Sequence, residues 1–103
     1  MTKNELQSLL NQVNNATLSS ADGIKEYISI VKLCADKLNT MQHEDKSPVL
    51  DVWLTMGVEE IQKDISVRLG SSFENLSSDR QRIELMYSKS TIAMALTNIM
   101  MHL

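Results

Sequence analysis

The sequence predicts an all-α fold, a small helical bundle of about four helices in which one short N-terminal helix precedes three longer ones. Three observations lead there. Aromatic residues make up 4% of the chain while seven residues are methionine, so the core must be built from Leu, Ile, Val and Met rather than the Val/Tyr/Phe/Thr mixture of strands. Three glycines and one proline leave little material for hairpin turns. Apolar residues recur at alternating threes and fours along the chain, the period of one helical face.

A length of 103 residues suits one domain, residues 1–103, large enough to bury a core and too short for two. The first helix is predicted from Thr2 and Glu5, which match a capping box, followed by Leu6, Leu9, Leu10 and Val13 at helical spacing. It fades into NNATLSS. Ser19 or Ser20 then caps a second helix, whose stripe of Ile24, Tyr27, Val31, Cys34, Leu38 and Met41 is the cleanest amphipathic pattern in the chain. HEDKS follows as a polar connector. Ser47-Pro48 reads as N-cap and first helical residue, because proline loses nothing where its missing N–H would have no helical partner.

The third helix is expected from Pro48 to about Leu69, stopping at Gly70 as a left-handed cap. Leu50, Leu54, Val58, Ile61 and Ile65 make one stripe, and Val49, Val52, Trp53 and Met56 widen the apolar surface over its first half. Ser78 with Gln81 is a second capping-box match and is expected to open the last helix. At 100° per residue, Leu85, Ile92, Leu96, Ile99 and Leu103 fall on one line of that helix, while Ile83, Tyr87, Met94 and Met101 fall on nearly the opposite one. Met86, Ala93 and Met100 lie on one flank; Glu84, Thr91, Asn98 and His102 form a polar strip on the other, the only part of this helix that looks made for water. A helix apolar on two sides must be covered on two sides, within its own bundle or by a second chain.

Composition narrows the partners. A net charge of -3 and a pI near 5.3 disfavour broad binding to nucleic acid or an anionic membrane, since both need a basic face. The uncharged ending, residues 90–103, is shorter than the ~18 residues that cross a bilayer, so no membrane span is expected. The N-terminus lacks the continuous apolar core and cleavage site of a secretory signal, which points to a cytoplasmic protein or one exported without a cleavable signal. One cysteine, Cys34, permits no internal disulfide, and its place in an apolar stripe marks it as a small buried hydrophobe.

No catalytic, cofactor or metal site is expected. His43-Glu44-Asp45 are three adjacent loop residues and cannot wrap an ion, and the only other histidine, His102, stands at the far end. No glycine-flanked serine turn or phosphate cradle occurs. Glu59 with Lys63, and Asp64 with Arg68, are opposite charges four residues apart, which reads as a solvated helix face. The stretch QKDISVRLGSSFENLSS, residues 62–78, resembles in spacing the helix-turn-helix of DNA-binding repressors, through Ile65, Ser66, Leu69-Gly70, Ser72 and Leu76. That resemblance covers about a sixth of the chain and implies an alternative, a small DNA-binding regulator in which Arg68, Arg80 and Arg82 contact phosphates. Its would-be recognition helix, SSFENLSS, has no Arg or Lys and carries Glu74.

The preferred expectation is a non-enzymatic protein–protein interaction module acting through its apolar C-terminal helix and the start of the third, by homo-oligomerisation or with a protein partner. Met86, Met94, Met101, Tyr87, Trp53 and Met56 are the candidate partner-binding residues, because methionine adapts to irregular partners where Leu and Ile specify fixed packing. In size and composition the chain is similar to the small chaperones, adaptors and structural subunits of bacterial secretion systems, a likeness that implies an adaptor, chaperone or self-assembling subunit.

Overall fold

Every long helix starts at a hydroxyl that replaces the missing carbonyl of the preceding turn. Thr2 accepts from the Glu5 N–H at 3.2 Å, Ser20 from Gly23 at 3.0 Å, Ser47 from Leu50 at 3.2 Å and Ser77 from Arg80 at 3.2 Å. These caps set the starts of α1 (Lys3–Asn15), α2 (Ala21–Gln42), α3 (Pro48–Lys63) and α4 (Ser78–Met101) in the computed structural model, which describes residues 2–103. No strand occurs among the described residues. The all-α reading holds, and α1 is the shortest of the four.

The connections differ from expectation in three places. The cap of α4 is Ser77, one residue before the expected Ser78, and Gln81 does not close a box: its Nε2 donates to the Phe73 carbonyl at 3.0 Å and ties the preceding turn to the helix. The third helix does continue past Lys63, but as a π-helical turn over Asp64–Arg68, with the Leu69 N–H reaching back five residues to the Asp64 carbonyl at 2.9 Å. Gly70 is not left-handed. Glycine is required there for room instead, since a Cβ would stand 2.4 Å from the Ser66 carbonyl oxygen.

Residues 71–78, the recognition helix of the repressor alternative, hold only a 3-10 turn over Phe73–Asn75 before Ser78 opens α4. Phe73 is buried in the core, so this segment serves as a plug under the α3–α4 connection and no second helix of a helix-turn-helix exists. The HEDKS connector also has structure. The Lys46 ammonium donates to the carbonyls of Gln42 and Glu44, each at 2.7 Å, capping the end of α2, whose last turn contains no basic residue of its own.

The helices neighbour one another in a ring, α1 beside α2 and α4, and α3 beside α2 and α4. Short connectors make successive helices antiparallel; along α3 and α4, Trp53 meets His102, Gly57 meets Ile99, and Asp64 meets Ser88. The expected stripes of α1 and α2 supply one side of the core, with Leu6, Val13, Tyr27, Val31, Cys34 and Leu38 fully buried. Leu54, Ile61, Leu85, Ile92, Leu96 and Ile99 supply the other. Leu103 leaves its line: α4 ends at Met101, so Leu103 lies past the helix and is largely exposed.

Candidate protein-binding surface

On α4 the two apolar lines separate completely by environment. Leu85, Ile92, Leu96 and Ile99 have no exposure, whereas Tyr87 is 61%, Met94 64% and Met101 72% exposed, with Ile83 also exposed. The polar strip expected to face water does not. Glu84, Thr91, Asn98 and His102 are half-buried because α3 lies against that flank. His102 stacks on the Trp53 ring, centroids 5.0 Å apart and 19° from parallel, and its Nδ1–H donates to the Asn98 carbonyl at 2.7 Å.

Gly57 determines how close the two helices come. It lies in the interior of α3, where glycine weakens a helix by about 1 kcal/mol relative to alanine, but a Cβ there would stand 2.8 Å from the Ile99 Cδ1. The missing side chain lets α4 approach and leaves a shallow cleft of about 270 Å³, lined by Trp53, Met56, Gly57, Thr91, Met94 and Ala95 among others. Small residues form part of this lining, and two methionines and a tryptophan add to it. Val49, Val52 and Met56 are exposed along the outer side of α3, so the apolar surface extends over both helices.

Of the residues singled out from sequence, Trp53, Met56 and Met94 share this cleft. Tyr87 lies further along α4, its ring under the Arg68 guanidinium at 5.8 Å. Met101 is exposed on the last turn of the same helix. Met86 is exposed on the other flank, where it lines a cleft with Ala16, Leu18, Arg82 and Lys89 beside α1. It therefore does not share the Trp53–Met56–Met94 cleft.

The three arginines of the DNA-binding alternative do not form a common face. Arg68 is held by Asp64 and, through Nε, by Glu84 at 3.3 Å; Arg80 reaches the other Glu84 oxygen at 2.8 Å; Arg82 is on the α1 side. Two of the three are already neutralised.

Sequence reasoning missed the polar chain behind this face. Its spacing to Arg68 predicts that Asp64 is half of a solvated pair, yet its side chain has no exposure, because the π turn carries it to the α3–α4 interface. Ser88 donates to the Asp64 Oδ2, and the Tyr27 hydroxyl, from α2, lies 2.6 Å from the Ser88 oxygen. A serine, a carboxylate and a phenol in contact are groups that catalytic sites also use, but Ser88 and Asp64 are sealed from solvent, so the chain acts as a tie between α2, α3 and α4. One signal was available: Ser88 falls among Leu85, Ile92 and Leu96, a lone hydroxyl on an apolar line that needs an internal partner.

Among the described residues no group of His, Cys, Asp and Glu could hold a metal ion, and no helix is long and apolar enough to cross a membrane. No protein-family model, curated protein or solved structure matches the chain.

Proposed function

We propose that the chain is a non-enzymatic interaction module that binds a protein surface through the outer face of the α3–α4 hairpin. The observation that carries this reading is the contrast along one helix: the inner line of α4 is completely buried, while Tyr87, Met94 and Met101 stand in water beside a cleft that Trp53 and Met56 also line. Large apolar side chains left exposed along a continuous surface are the usual mark of a binding face in a folded domain. Methionine, unbranched and polarizable, suits a surface that must fit the side chains of another helix. Adaptor, chaperone or self-assembling subunit are the roles such a module would fill, including within a bacterial secretion system.

The test separates face from fold. Met94→Glu together with Met101→Glu should abolish association while leaving the helical circular-dichroism signal and the unfolding midpoint nearly unchanged. Leu96→Glu with Ile99→Glu should unfold the protein. If the methionine pair also collapses the fold, or if every association survives it, this face is not a binding surface.

A further inference from the structure

We infer that the occupant of this face is a second copy of the same chain, packed with α4 antiparallel to its counterpart about a two-fold axis at the level of Ile92. The inference rests on the interaction reading above and assigns its partner. Its first ground is the spacing of the exposed line. Ile83, Tyr87, Ser90, Met94, Thr97 and Met101 follow one another at steps of four and three, the repeat of a left-handed coiled-coil seam, and all are exposed except Thr97, which is half-buried.

That seam reads the same in both directions about Ile92. A two-fold axis there sets Ile83 opposite the partner's Met101, Tyr87 opposite the partner's Thr97, and Ser90 opposite the partner's Met94. In the two inner layers a bulky side chain meets a small one, Tyr87 on Thr97 and Met94 on Ser90, and at the ends Ile83 packs on the flexible Met101. A parallel pairing would instead stack Tyr87 on Tyr87 and Met94 on Met94 and leave gaps at the Ser90 and Thr97 layers, which packing disfavours. Thr97 can enter an apolar seam because its hydroxyl already donates to the Ala93 carbonyl of its own helix at 2.8 Å.

Charge supplies a second, independent ground. All charged residues of α4 precede Ser90, so an antiparallel pairing sets the charged half of each helix against the uncharged half of the other, whereas a parallel one would bring Asp79 beside Asp79 and Arg80 beside Arg80. On α3 the axis passes beside Ile61, since Gly57 lies under Ala95 and Ile99, and Asp64 lies beside Ser88. The exposed charges flanking Ile61 are Glu59 and Glu60 on one side and Lys63 on the other. The same axis therefore places the two glutamates of each copy opposite the lysine of its partner. A two-fold contact must be self-complementary, and this one is in size and in charge.

The seam is about 27 Å long, from 18 steps of 1.5 Å, so the interface belongs to the small class and the dimer should have a Kd of roughly micromolar order. Sedimentation across a wide range of protein concentration should show a reversible monomer–dimer equilibrium. Lys63→Glu alone, and Glu59→Lys with Glu60→Lys, should each weaken it about tenfold, and an equimolar mixture of the two variants should restore dimers. Chains carrying Ser90→Cys mixed with chains carrying Met94→Cys should form the mixed disulfide in preference to either symmetric one; native Cys34 is buried and stays out of the reaction. A symmetric Met94→Cys disulfide as the main product, or no recovery in the charge-reversed mixture, overturns the antiparallel arrangement. A wild-type chain that remains monomeric at millimolar concentration overturns the dimer. In that case a different protein whose binding is lost in the Met94→Glu, Met101→Glu variant leaves the interaction reading standing, and a chain that is monomeric and binds nothing through this face overturns both.

Discussion

Ser88 on α4 donates its hydroxyl hydrogen to the buried carboxylate of Asp64 on the π turn that extends α3. A serine has one hydrogen to give, so Tyr27 must be the donor in the 2.6 Å contact with the Ser88 oxygen, and the chain runs in one direction from Tyr27 through Ser88 to Asp64. The direction ranks three substitutions. Tyr27→Phe removes a donor whose acceptor keeps another bond and should cost about 0.5–1.5 kcal/mol, a typical net hydrogen bond. Ser88→Ala leaves the Tyr27 hydroxyl and the Asp64 Oδ2 without their partner, while Arg68 keeps the Asp64 Oδ1, and should cost about 1–3 kcal/mol. Asp64→Ala breaks a buried ion pair, though Arg68 keeps Glu84, and should cost about 3 kcal/mol. Urea unfolding of the three variants gives the order, and a larger loss for Tyr27→Phe than for Ser88→Ala would refute the direction.

Alkaline pH should unfold the protein from inside its core. Burial pushes the Cys34 thiol from its ordinary 9.0 up to about 11, and burial likewise pushes the Tyr27 phenol upward from 10.0. Both groups are raised in the folded state, so their stabilising effect is complete below the unfolded values near 9 and 10 and is lost above them, where the unfolded chain gives up protons that the folded chain retains. Stability should fall by roughly 1.4 kcal/mol per pH unit for each group in its window. Cys34→Ala should flatten the urea midpoint between pH 9 and 10, and an unchanged slope there would show that the thiol does not contribute.

Gly57→Ala sets two effects against each other. Alanine favours the helix by about 1 kcal/mol, while its methyl would stand 2.8 Å from the Ile99 Cδ1 in a fully buried contact, an overpacking that costs about 1–3 kcal/mol. Net destabilisation of roughly 1 kcal/mol is expected, with recovery when Ile99→Val removes the opposing methyl. A stabilised single variant would mean that α4 can move aside freely.

The stripe of α2 can be checked by a pair of neighbours. Leu38 is completely buried and Lys37 is exposed, so Leu38→Ala should cost ~2–5 kcal/mol by leaving a cavity, and Lys37→Ala almost nothing. Equal losses would place the wrong face inward.

The sequence by itself determined the four helices, the starts of two at Thr2 and Ser47, the start of α2 to within Ser19 or Ser20, and the inward stripes of α1 and α2, because a cap and a 3.6-residue period act within a turn or two of the chain. It also divided α4 into two apolar lines. Which flank receives α3 followed only from tertiary packing: the polar strip of Glu84, Thr91, Asn98 and His102 is covered by Trp53, Gly57 and Arg68, residues far away in sequence. Asp64 shows the same division. Four residues from Arg68 it has the pattern of a surface pair, and only the extra residue of the π turn, with Ser88 and Tyr27 brought from two other helices, turns it into a buried one. Local periodicity specifies faces, whereas the partner of each face depends on contacts between distant segments that no window of sequence contains.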